Sequence, residues 1–121
     1  MKANFTVRNQ SDVYIASASA LLPELLAERR VVVITDASMV RLYGSLIAPY
    51  DIILVGQGES SKTLHTIEQI YRKLIELGAD RRTFILGIGG GIVTDMAGFA
   101  AATYMRGIDF YNIPTTVLSQ V

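Results

Sequence analysis

A glycine-rich turn between two apolar segments is the part of the sequence with the clearest chemical use. Gly87–Gly91 (GIGGG) follows a predicted strand and precedes a long apolar segment, Ile92–Met105. Glycines lack a Cβ, so their backbone can approach a ligand closely. The free N–H groups and partial positive charge of a helix start suit a pyrophosphate. The turn is therefore either a phosphate cradle or a tight connection from a strand to a helix.

The turn does not match the two common nucleotide-binding patterns. Reading G-x-G-x-x-G from Gly89 puts Thr94 at the third glycine. The acidic residue expected about 20 positions later is Asp109, which precedes a predicted strand and so lies at the wrong end of the sheet. No Gly-Lys-Ser/Thr follows, which excludes a P-loop.

Further polar residues have two interpretations each. Asp36 follows an apolar run and could accept hydrogen bonds from ribose hydroxyls or cap the next helix. Glu59 and Lys62 could hold ribose hydroxyls and a phosphate, or form a solvated pair.

The same ambiguity applies later in the chain. Asp95, in the first turn of a predicted helix, and Arg106, near its end, both suit the helix dipole. Thr115 and Thr116 could donate hydroxyls to a ligand or cap a helix.

Apolar periodicity indicates how these residues are positioned. Short apolar runs predict four strands: Val31–Thr35, Asp51–Val55, Thr83–Ile88 and Phe110–Ile113. Three helices are predicted between them, Ser38–Ile47, Thr63–Leu77 and Ile92–Met105, and the apolar residues of the second recur at helical spacing. The last helix is apolar nearly all round, which predicts that it is buried. An N-terminal hairpin (Asn4–Arg8 with Val13–Ala16) and a helix ending near Arg29 are expected before them. The alternation predicts one α/β domain, a Rossmann-like parallel sheet with helices on both faces. Ligands of such sheets bind beyond the carboxyl ends of the strands, where the polar clusters fall.

Composition excludes several classes of function. The 121 residues carry a formal net charge of zero, which argues against a nucleic-acid partner. No cysteine is present, which suits a cytoplasmic protein, and the single histidine, His65, is expected on the surface. No apolar run reaches the roughly 18 residues of a membrane helix, because Asp95 interrupts the longest candidate.

Several segments together resemble one enzyme family. Gly89–Gly107 (GGGIVTDMAGFAAATYMRG) and Ile113–Val121 (IPTTVLSQV) closely resemble 3-dehydroquinate synthase. Gly58–Thr63 (GESSKT) is similar to the G-E-x-x-K segment of that family, and Asp36–Ser38 to its first nucleotide-contacting loop. The resemblance covers the chain from about Val31 onward.

The resemblance implies an activity and its cofactors. Members convert the sugar phosphate 3-deoxy-arabino-heptulosonate 7-phosphate into 3-dehydroquinate and phosphate, a step of the shikimate pathway to aromatic amino acids. They use NAD catalytically and need a divalent metal, zinc or cobalt. By resemblance, Arg106 would reach the substrate phosphate, across the interface of a homodimer. The expected NAD-binding residues are Asp36, Ser38, Gly58, Glu59, Lys62, Gly90, Gly91, Ile92, Val93, Thr94, Asp95, Thr115, Thr116 and Leu118.

The sequence also departs from the family. Thr94 stands where many members have glycine, and Ser38 where asparagine is frequent. In the family, a Gly-Gly-Lys segment and a helical domain with the metal ligands follow the position of Val121. We therefore expect a nucleotide-binding domain without its C-terminal domain, inactive alone and weak in NAD binding. The alternatives are another sugar-phosphate cyclase, a glycerol-dehydrogenase-like enzyme, or a non-catalytic nucleotide-binding module.

Overall fold

A computed structural model describes residues 29–56, 58, 60 and 62–115. The N-terminal hairpin and the helix that we predicted ahead of Arg29 lie outside these residues, as do Glu59, Thr116 and Leu118.

Four parallel strands form one sheet in the order β2-β1-β3-β4. They are β1 (Val31–Thr35), β2 (Asp51–Leu54), β3 (Phe84–Gly89) and β4 (Phe110–Pro114). All five residues of β1 are buried, because the strand lies inside the sheet and both of its faces are covered. The predicted strands are confirmed, with ends that differ by at most one residue.

Three helices and a short 3-10 turn connect the strands. They are α1 (Ala37–Ile47), α2 (Leu64–Glu76), α3 (Gly91–Thr103) and the turn Tyr104–Arg106. The side chains of Asp36 and Thr63 cap the first two helices by accepting hydrogen bonds from backbone N–H groups.

The core has two parts, one on each face of the sheet. Helices α2 and α3 cover one face, where Ile70, Leu74 and Ala97 pack with Ile85. On the other face Ile47 of α1 packs in a smaller group that includes Val33, Leu86 and Ile113. The predicted α/β architecture with helices on both faces is thus confirmed.

Helix α3 is not buried all round as we predicted. Its buried side carries Val93, Met96, Ala97, Ala100 and Ala101. Phe99, away from that side, is 49% exposed, because the described residues cover only part of its surface. Uniform apolar composition gives no periodicity from which the exposed side could have been found.

Candidate functional site

The carboxyl edge of the sheet brings several of the predicted site residues together. Asp36, Gly90 and Thr115 each follow the end of a strand, and all four strands run in the same direction. Backbone hydrogen bonds tie the ends to each other. Thr115 N donates to Gly89 O at 2.9 Å, and Val55 N donates to Thr35 O at 2.8 Å. This edge is where parallel α/β sheets bind ligands.

Two glycines of the turn differ in their surroundings. Gly89 is tightly packed, whereas Gly91 borders open space. Gly89 has a φ of +156°, and a Cβ there would lie 2.9 Å from the Cβ of Val93. A Cβ on Gly91 would meet no atom within 4 Å. The turn is therefore packed tightly against its own helix but open towards the edge of the sheet.

Among the described residues, no side chain caps the start of α3. Gly90 is the N-cap residue and has no side chain to cap the helix. The first N–H groups of a helix have no acceptor within the helix, and they carry its partial positive charge. The hydroxyl of Thr94 donates to the carbonyl oxygens of Gly90, at 3.1 Å, and Gly91, at 3.3 Å. That hydroxyl therefore braces the turn on its helix side.

An ion pair joins two of the predicted residues across the edge. Lys62 Nζ lies 3.2 Å from Asp95 Oδ2, and both side chains are about half exposed. The pair borders a cavity of about 480 Å³ between α2 and α3 whose apolar walls include Leu64, Met96 and Phe99. Sequence spacing suggested Glu59 as the neighbour of Lys62, because the fold that brings Asp95 close cannot be read from spacing. Asp95 is the fifth residue of α3, since the helix begins at Gly91, and our placement of it in the first turn was wrong.

Asp36 and Ser38 form a local cap. Asp36 Oδ1 accepts hydrogen bonds from Met39 N at 3.0 Å and from the Ser38 hydroxyl at 2.6 Å. Asp36 is only 6% exposed. The capping interpretation of Asp36 is thus observed, and the two residues lie at the carboxyl edge beside the glycine turn.

Arg106 lies far from the other predicted residues. Helix α3 carries the chain back across the sheet, about 20 Å for 13 residues. Arg106 therefore follows α3 at the amino edge, where Asp109 O accepts a hydrogen bond from Ile85 N. Its φ is +70°, and that of Met105 is +48°. Left-handed backbone is costly for residues other than glycine, and such strain occurs often at functional sites.

Sequence reasoning missed Asn112. It lies in β4, and its Nδ2 donates to the backbone oxygen of Thr94 at 3.1 Å. A polar side chain in the middle of a short strand was the available signal. That signal gave no indication of the partner.

Metal and membrane features are absent from the part of the chain that the structure describes. Within residues 29–56, 58, 60 and 62–115, no group of three His, Cys, Asp or Glu side chains is placed to hold a metal ion. Over the same residues, no helix combines the length and apolar character needed to cross a membrane.

Comparison with known proteins decides the family. The sequence model of the 3-dehydroquinate synthase N-terminal family matches residues 52–121. The chain belongs to this family. The 3-dehydroquinate synthase of Pelotomaculum thermopropionicum is 43% identical to it over 109 residues, which cover 84% of this chain and 29% of that protein. The chain thus spans about 29% of the length of that family member.

Solved structures of related enzymes share the fold. The 2-epi-5-epi-valiolone synthase of Streptomyces hygroscopicus subsp. jinggangensis, with NAD+ and Zn2+ bound, matches all of this chain and 36% of its own, with a TM-score of 0.73 and 28% identity. A 2-deoxy-scyllo-inosose synthase, complexed with carbaglucose-6-phosphate, NAD+ and Co2+, matches 84% of this chain and 30% of its own, with a TM-score of 0.68 and 30% identity.

Proposed function

We propose that this chain is the NAD-binding domain of a 3-dehydroquinate synthase. The whole enzyme would convert 3-deoxy-D-arabino-heptulosonate 7-phosphate to 3-dehydroquinate and phosphate. The observation that carries the proposal is the open, uncapped start of α3 at the carboxyl edge, in a chain of this family. The greater identity to a 3-dehydroquinate synthase than to the inosose and valiolone synthases favours this substrate over those of other sugar-phosphate cyclases.

The residues at the edge fit a dinucleotide. The N–H groups of Gly91, Ile92 and Val93 would donate to the pyrophosphate, since a helix start favours an anion. Gly90 and Gly91 would leave room for it, and the Thr94 hydroxyl would hold their carbonyls away from it. NAD, when bound, would supply a hydride acceptor for a substrate hydroxyl.

The residues around the glycine turn would hold the two ends of NAD. Asp36, with Ser38, would face the adenosine ribose, and Gly58, Glu59 and Lys62 would contribute from the loop before α2. Asp95 would keep Lys62 near the turn through their ion pair. On the nicotinamide side we propose Thr115, Thr116 and Leu118.

The described residues do not fit the divalent metal that the family implies. They contain no cluster of suitable ligands, so we assign the metal to a C-terminal domain of the whole enzyme. We accordingly propose that this chain alone does not catalyse the reaction, since phosphate elimination needs a group that holds and polarises the substrate. Phosphate release by the purified chain with NAD and zinc, abolished in Arg106→Ala, would refute this.

Arg106 supports a proposal about assembly. Because it lies at the amino edge, it is about the length of α3 away from the proposed NAD site of its own chain. A role in binding substrate phosphate would therefore be carried out in the site of a second subunit. We propose a homodimer on this basis.

Calorimetric titration of the chain with NAD tests the function. We expect weak binding, because one wall of an interdomain cleft leaves the nicotinamide in water while the entropic cost of binding remains. Gly91→Val should weaken it at least about tenfold, since a bulky side chain would fill the space that the pyrophosphate needs. Asp36→Ala should also weaken NAD binding. Loss of the helix cap should in addition lower the free energy of unfolding by about 1 kcal/mol.

Gly44→Ala is the matched control for Gly91→Val, because a Cβ at Gly44 makes only an ordinary contact, 3.9 Å from Val40. It should leave NAD binding unchanged. Micromolar or tighter NAD binding by the unmodified chain would mean that the NAD site is complete without a C-terminal domain. Binding that neither Gly91→Val nor Asp36→Ala changes would mean that the site lies elsewhere.

A further inference from the structure

Asn112 reaches from the sheet to the first turns of α3. Its Nδ2 donates to the carbonyl oxygen of Thr94, the fourth residue of the helix, at 3.1 Å. Thr94 is in turn bonded to the glycine turn, since its N–H donates to Gly90 O at 3.0 Å and its hydroxyl to the same oxygen at 3.1 Å. A continuous series of hydrogen bonds therefore runs from β4 through Thr94 to Gly90.

A glycine in the neighbouring strand makes the path of this side chain possible. Gly87 is the partner of Asn112 in the sheet, and a Cβ on it would collide with Asn112 Oδ1 and lie 2.8 Å from the Cβ of Ala97. Gly98 of α3 lies on the other side of Asn112, and a Cβ there would make an ordinary contact with Asn112 Nδ2 at 3.8 Å. The asparagine thus occupies a gap that small residues leave on both the strand and the helix.

The other polar atom of Asn112 is poorly placed for stability. Oδ1 is buried and has no hydrogen-bond partner among the described residues. A buried acceptor without a partner lowers stability, and an apolar side chain of the same shape would avoid the loss. The stability of the core therefore gives no reason for an asparagine at this position, and the bond to Thr94 does.

We propose that Asn112 is a positioning residue that fixes the first turns of α3 through Thr94, so that the N–H groups of Gly91, Ile92 and Val93 are held towards the pyrophosphate. The link to pyrophosphate rests on the proposed function. The fixing of the helix start does not, and it can be measured without ligand. Preorganised donors bind an anion more tightly, because no ordering is needed when the anion arrives.

Asn112→Leu separates positioning from stability. Leucine has the branching of asparagine but neither its donor nor its unpaired oxygen. We expect the free energy of unfolding to stay the same or rise. We also expect the amides of Thr94 and Asp95 to exchange with solvent at least about tenfold faster in the folded chain, and NAD to bind more weakly. A merely structural role would move stability and NAD binding in the same direction.

Ile113→Val is the matched control. Ile113 is the next residue of β4, but it is buried in the core group on the opposite, α1 face of the sheet. Ile113→Val should lower the free energy of unfolding slightly. It should not change the exchange rates of the Thr94 and Asp95 amides relative to those of other amides.

Hydrogen exchange followed by NMR decides the proposal. Unchanged exchange at Thr94 and Asp95 in Asn112→Leu, or an equal change in Ile113→Val, would overturn it. Faster exchange together with no NAD binding by the unmodified chain would support the positioning role and refute the proposed function. NAD binding by the unmodified chain that Asn112→Leu leaves unaltered would refute the link between Asn112 and the ligand while the proposed function stands.

Discussion

Gly87→Ala should be a strongly destabilising single-methyl change in the sheet. The added Cβ would overlap Asn112 Oδ1 and lie 2.8 Å from the Cβ of Ala97. The asparagine can rotate away only by giving up its bond to Thr94, and Ala97 can move only with α3. Overpacking a close-packed core costs about 1–3 kcal/mol. With two contacts to relieve, we expect the free energy of unfolding to fall by about 3 kcal/mol, a large part of the stability of a small domain.

Urea unfolding followed by circular dichroism measures this loss. Gly91→Ala is the control, since the same methyl group there meets open space and should change stability by less than about 0.5 kcal/mol. Asn112→Ala in the Gly87→Ala background should recover part of the loss by removing the nearer obstruction. If the free energy of unfolding of Gly87→Ala is within about 0.5 kcal/mol of that of the unmodified chain, the close packing of β3 on α3 is incorrect.

Three further predictions concern stability. Burial, and secondarily the charge of Asp80, raises the pKa of Tyr104. As the pH rises, the unfolded chain therefore loses the tyrosine proton before the folded chain does. The free energy of unfolding should be unaffected by this group below about pH 10 and should fall as the pH rises through the folded-state pKa. Tyr104→Phe should remove this fall when unfolding is measured as a function of pH. Met105→Gly should raise the free energy of unfolding by up to about 1 kcal/mol by relieving left-handed backbone, and Met105→Ala should give no such gain. Lys62→Met should cost less than about 1 kcal/mol, because the ion pair with Asp95 is half exposed, and a larger loss at both low and high salt would show that the pair is more important than its exposure indicates.

The fold could be predicted from the sequence because its strands are short apolar runs with clear limits. Val31–Thr35 is the clearest case, since five consecutive β-branched residues fit only a strand covered on both faces. The glycine turn could likewise be located, because several glycines between an apolar strand and a helix indicate a tight turn or a phosphate-binding loop. The open space at Gly91 and the strained backbone at Met105 and Arg106 required coordinates.

The contacts within the site could not be predicted, because they depend on how distant segments meet. Lys62 and Asp95 are 33 residues apart, and Asn112 and Thr94 are 18 apart. Both separations are longer than any described helix or strand, so only the arrangement of α2, α3 and β4 around the sheet brings these pairs together. The resemblance identified Lys62 and Asp95 as separate contacts to NAD, and their ion pair appears only in the structure.

Titration of the isotope-labelled chain with NAD, followed by the shifts of its backbone amides, tests the central claim most directly. The claim is that the start of α3 holds the pyrophosphate at the carboxyl edge. We predict the largest shifts at the amides of Gly90–Asp95, with smaller ones at Asp36 and Lys62, and none at Met105–Asp109 on the opposite edge. Saturable shifts centred away from Gly90–Asp95, or NAD binding that leaves those amides unmoved, would contradict the account.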